Sequence, residues 1–132
     1  MKSLKNIFLN LGYEFFKFGI TGVLNTFITL TLIFLFSYVY GFHYLFSNAI
    51  GYTMGFLNSF FLNKYWTFKS KGSTFKQFLL FLKVFLICYG IQFLFLFYFQ
   101  EFLNLKEEFS QFFSMIIYTV ANFLFNKFWT FK

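Results

Sequence analysis

The chain has 132 residues, of which 59% are hydrophobic and 11% charged; 29 are phenylalanine, and the formal net charge is +7. A soluble domain of this length has no interior large enough for so much apolar side chain and needs a charged surface, so the composition excludes an ordinary soluble globular protein. The positive charge comes from lysine alone. It reads as membrane topology and attraction to anionic lipid rather than as a nucleic-acid footprint.

The first stretch, Met1–Phe16, is broken by Lys5, Asn10 and Glu14, so a cleavable signal sequence is not expected. Ile7, Phe8, Leu11, Phe15 and Phe18 recur at helical spacing with Asn10, Glu14 and Lys17 between them, which predicts a short N-terminal interfacial helix. Four apolar segments follow: Phe18–Tyr40, Tyr44–Leu62, Phe78–Phe99 and Phe109–Phe125. A helix rising about 1.5 Å per residue crosses a hydrocarbon core of about 30 Å with each of the first three, and only just with the fourth. The turn between the first two holds His43, the only histidine, read as an interfacial residue. Cys88, the only cysteine, lies in an apolar run and reads as a small packing residue.

The second and fourth segments end on the same words. Asn63-Lys64-Tyr65-Trp66-Thr67-Phe68-Lys69 returns at the end of the chain as Asn126-Lys127-Phe128-Trp129-Thr130-Phe131-Lys132, with one aromatic ring exchanged for another. An apolar run precedes both copies, so the chain reads as two tandem two-helix repeats of the same orientation, about residues 15–69 and 78–132, within a single membrane domain spanning 1–132. Lys2, Lys5, Lys17, Lys64, Lys69, Lys71, Lys76, Lys83, Lys127 and Lys132 fall at the termini, in the central loop or at the ends of spans on that same side. Only Lys106 falls on the other side, beside Glu101, Glu107 and Glu108. The positive-inside rule then predicts an all-α, four-span protein of the cytoplasmic membrane with both termini inside.

Polar groups enter these spans in order. Ser47, Gly51, Gly55, Ser59 and Asn63 follow at four-residue spacing, and Ser110, Ser114, Tyr118, Asn122 and Asn126 stand at the equivalent places of the second repeat. Residues at i and i+4 share a helix face. Gly51, Gly55 and Ser59 therefore read as a packing stripe that lets helices approach closely. The amides of Asn25, Asn58, Asn63, Asn122 and Asn126 need partners, because an unmet amide in lipid is costly. Hydrogen bonds between helices and contact with a polar substrate both answer that need. Lys64 and Lys127 follow two of these amides, and Lys17 and Lys83 stand at the starts of the first and third spans, so the four cations form a candidate phosphate site at headgroup level. Trp66, Trp129 and the neighbouring rings read as an interfacial aromatic belt. No phosphate loop, paired catalytic carboxylates, nucleophile elbow or metal-ligand cluster is visible, so neither an enzyme nor a cofactor or metal is expected.

Phe18-Gly19-Ile20-Thr21-Gly22-Val23-Leu24-Asn25-Thr26, together with Ser59 to Phe68 and Asn122 to Phe131, resembles the GtrA-like family over about Glu14 to Phe131. That resemblance implies a small membrane protein of cell-surface polysaccharide synthesis, which moves polyprenyl-phosphate-linked monosaccharide to the outer leaflet for O-antigen, teichoic acid or a related polymer. It puts the family's polar signature on Asn25, Asn63, Lys64, Asn122, Asn126 and Lys127. Many relatives carry Arg where this chain has Lys64 and Lys127, and lysine lacks the bidentate fork. Asn25, Asn63, Asn122 and Asn126 are then expected to line a polar route, and the Gly51/Gly55 stripe to support a homo-oligomer. Two alternatives remain: a non-transporting subunit of a membrane glycosyltransferase, and a small multidrug-type transporter. The latter needs a carboxylate within the membrane, and only Glu14 lies near a span.

Overall fold

The computed structural model describes residues 3–132, and every regular element among them is helical. Lys2, one of the lysines counted toward the topology, lies outside the described residues. Helix α1 runs over Leu4–Phe34 and continues as a π-helical turn, π1, over Leu35–Val39. Helix α2 is Tyr44–Leu62, followed by π2 at Asn63–Thr67. Helices α3, Thr74–Glu101, and α4, Glu107–Phe125, lead to π3 at Asn126–Thr130. The chain divides into two compact units, Met1–Lys69 and Ser70–Lys132, in which α1 packs on α2 and α3 on α4.

The short interfacial helix expected to lead into the first span is continuous with it and forms the first part of α1. Ser3 caps the start, its hydroxyl accepting from the Asn6 backbone N–H at 3.4 Å. No proline then removes a backbone donor, and a glycine costs a helix only about 1 kcal/mol, too little to stop it. Leu4–Val39 and Thr74–Glu101 are long and apolar enough to cross a membrane by composition alone. The two 19-residue helices, α2 and α4, are each roughly 28 Å long. They carry the polar ladders, which lowers their hydropathy.

Burial is inverted relative to a soluble protein. Among the described residues, six apolar side chains are buried against thirteen polar ones, while Phe8, Phe27, Phe75, Phe93 and Phe112 stand exposed. An apolar exterior around a polar interior suits a lipid solvent, where the hydrophobic effect no longer drives large side chains inward.

The two helix-to-helix turns share a construction. In the first, the Tyr40 N–H donates to the Leu35 carbonyl and the Phe42 N–H to the Phe36 carbonyl. In the second, the Leu103 N–H donates to the Tyr98 carbonyl and the Leu105 N–H to the Phe99 carbonyl, all four at the equivalent positions of the repeat. Gly41 sits between with φ +69°, and Asn104 takes its place with φ +51°. Glycine and asparagine are the residues that best tolerate this left-handed backbone, so two unlike residues serve one geometry. His43 then caps α2, its Nδ1 accepting from the Leu45 N–H at 3.3 Å.

Candidate functional site

The repeated motif is wound as a π-helix in both units. Its closing bonds run from the Phe68 N–H to the Asn63 carbonyl at 2.9 Å, and from the Phe131 N–H to the Asn126 carbonyl at 2.8 Å. Single π-turns are rare and cluster at functional sites. Here they begin at the asparagine that ends each polar ladder. Asn63 Nδ2 donates to Ser59 Oγ at 3.3 Å, and Asn126 Nδ2 donates to Asn122 Oδ1, in each case one helical turn back.

These bonds consume the amide hydrogens facing the ladder and leave the carbonyl ends open. Asn63 Oδ1 and Asn126 Oδ1 are buried without a hydrogen-bond partner among the described residues. The residues are 1% and 0% exposed, so solvent does not relieve them. A buried acceptor left unmade costs about 1–3 kcal/mol, and the same cost recurs at the same place in both units.

Around this shared core the partners differ. In the first unit Thr21 and Thr67 pair through their hydroxyls at 3.4 Å, and Phe18 packs on Phe68 with ring centroids 6.3 Å apart. In the second unit the equivalent pair, Phe81 on Phe131, packs at 5.9 Å, which sets the same register. The position matching Thr21 is Val84, fully buried and without a hydroxyl. Thr130 Oγ1 is accordingly buried with no partner among the described residues.

The four lysines do not behave alike. Lys17 is buried and donates to the Trp66 carbonyl at 3.3 Å, with its Nζ 4.6 Å from the Tyr13 ring and 5.1 Å from the Trp66 ring. It therefore holds π2 in place. Lys64 is 2% exposed, its Nζ 5.5 Å from the Tyr65 ring centroid. Lys127 is half-buried, whereas Lys83 is exposed. The four lysines of the candidate phosphate site thus differ in burial, two buried, one half-buried and one exposed, and Leu80 stands where the second repeat matches Lys17.

Asn25 accepts from Asn58 Nδ2 at 2.7 Å, a bond between α1 and α2. Its oxygen serves helix association. Gly51 and Gly55 are buried against α1: a Cβ on Gly51 would meet Ile33 Cγ1 at 2.6 Å and the Thr29 carbonyl at 2.9 Å, and one on Gly55 would meet Thr29 Oγ1. The stripe is covered by the chain's own first helix, so it is not the surface expected to receive a second copy. Sequence reasoning passes over Thr21, Thr67 and Thr130, although the motif's repeated threonine is the signal that marks two of them.

Against known proteins, the family described as "GtrA/DPMS, transmembrane domain" matches residues 17–131, which takes in the first motif, the second as far as Phe131, and all the groups above except Tyr13. No curated protein matches the chain.

Proposed function

We propose that this chain, which belongs to the GtrA/DPMS transmembrane domain family, carries a polyprenyl-phosphate-linked monosaccharide across the cytoplasmic membrane for cell-surface glycosylation. The observation that carries this reading is the pair of buried asparagines with one open oxygen each, placed next to Lys64 and Lys127 in identical π-turns. An ammonium beside a directed polar acceptor suits a ligand that joins an anionic phosphate to a polyol. The four helices act as four spans in two same-facing pairs, N-terminus inside, and the exposed phenylalanines face lipid. The chain makes and breaks no bond itself. It supplies charge and hydrogen bonds to a headgroup while the prenyl tail stays in the hydrocarbon.

Reconstitution tests this directly. Liposomes holding the purified protein and a labelled polyprenyl-phosphate monosaccharide should expose the label to the opposite face faster than empty liposomes, and Asn126→Ala with Lys127→Ala should abolish the gain at normal insertion. Equal rates with and without protein would reject the carrier. A second reading, an accessory subunit that anchors a membrane glycosyltransferase, is favoured by the match being to a transmembrane domain. It predicts no movement alone and a copurifying transferase.

A further inference from the structure

We propose that the second motif reads the sugar, with Asn126 Oδ1 and Thr130 Oγ1 as the contact atoms for two of its hydroxyls. The proposal rests on the carrier reading above and assigns one part of the ligand to one part of the site. Asn126 Oδ1 only accepts, and Thr130 Oγ1 both donates and accepts. A phosphodiester is an anion without a proton at neutral pH, so it has nothing to donate to an amide oxygen and repels it. A sugar hydroxyl donates to Asn126 Oδ1, and its neighbour exchanges a bond with Thr130 Oγ1. The two residues lie four apart in one π-turn, where i→i+5 winding keeps such positions on a common side.

The first motif lacks this pair. Thr67 already shares its bond with Thr21, so π2 offers one open acceptor where π3 offers an acceptor and a hydroxyl. The difference traces to one residue, since Val84 occupies the place that matches Thr21. A valine there is no packing default, because a threonine of nearly the same shape is accommodated in the other unit. Its effect is to keep Thr130 unbonded until a ligand arrives.

The test measures binding of two probes to the full chain in nanodiscs: polyprenyl phosphate, and the same lipid bearing glucose, mannose or N-acetylglucosamine. Wild type should prefer at least one sugar-bearing lipid roughly tenfold, as a site built to bond a hydroxyl rejects the ligand lacking it. Thr130→Val should erase the preference while leaving bare polyprenyl phosphate within about twofold. Val84→Thr should do the same without removing any polar group, by giving Thr130 an internal partner, and Thr130→Ser should retain the preference. Thr67→Val should leave it intact. Equal binding of bare and sugar-bearing lipids by wild type, or equal loss in Thr67→Val and Thr130→Val, would overturn the assignment and leave the open atoms to an internal water. Affinity for neither probe would remove the carrier reading as well.

Discussion

The two units share a motif almost letter for letter, yet they spend it differently. In the first, Lys17 closes the Trp66 carbonyl, Thr21 closes Thr67, Asn25 closes Asn58, and glycines at 51 and 55 bring α1 against α2. In the second, the matching positions hold Leu80, Val84, Cys88 with Ala121, and Ser114 with Tyr118. One copy is knitted into its helix pair and the other keeps polar atoms in hand. Unequal substitution around a shared motif thus leaves Thr67 bonded in one unit and Thr130 unbonded in the other, while the motif itself is almost unaltered.

That contrast is sharpest at the glycines. Gly51→Ala forces Ile33 and the Thr29 carbonyl to move, and overpacking of this kind costs about 1–3 kcal/mol. Ser114→Ala, at the matching rung, removes only a local bond to the Gln111 carbonyl and should cost far less. Thermal unfolding of detergent-purified variants would show it; equal losses would mean the two ladders pack alike. Next in size is Asn25→Leu, which leaves the Asn58 amide without its partner and should cost about 1–2 kcal/mol. Copying the second unit with Asn25→Cys and Asn58→Ala together should restore part of that loss, and no restoration would show that the pair is not acting as a pair.

Lys17→Leu, again copying the second unit, removes a donor and two cation–ring contacts and should cost about 1 kcal/mol. Leu80→Lys should give no matching gain. A gain of the same size would mean that the second motif tolerates the same lock. The smallest effect is expected where the units agree: Gly41→Asn and Asn104→Gly should each stay within about 0.5 kcal/mol, since both residues adopt the left-handed backbone there.

The reach of sequence reading follows the same line. Tyr44–Leu62 is found to the residue, because a turn-forming Gly-Phe-His precedes it and the motif ends it. The asparagine ladders are legible from spacing alone. The π-winding is not, since every residue of Asn-Lys-aromatic-Trp-Thr is compatible with an ordinary helix and the wider turn is selected by packing. The unbroken α1 escapes because scattered polar residues look like an ending when nothing in them stops a backbone bond. Lys17 and Lys83 look alike in one dimension, and only tertiary contacts tell a buried clamp from a solvated charge. The turn at Asn104 is within reach: it occupies the repeat position of Gly41, and both favour positive φ.

The length of that first helix sets a mechanical condition on everything else. Leu4–Val39 is 36 residues of continuous winding, about 54 Å, against a hydrocarbon slab of about 30 Å. Even the steepest tilts seen for membrane helices, about 40°, do not fold the excess into the slab. In the four-span arrangement proposed above, several turns stand clear of it, and the end carrying Asn6, Asn10 and Glu14 is the one that loses least by leaving. That projecting stretch is continuous with the turn that bears Lys17, whose ammonium is tied to the Trp66 carbonyl of the first motif.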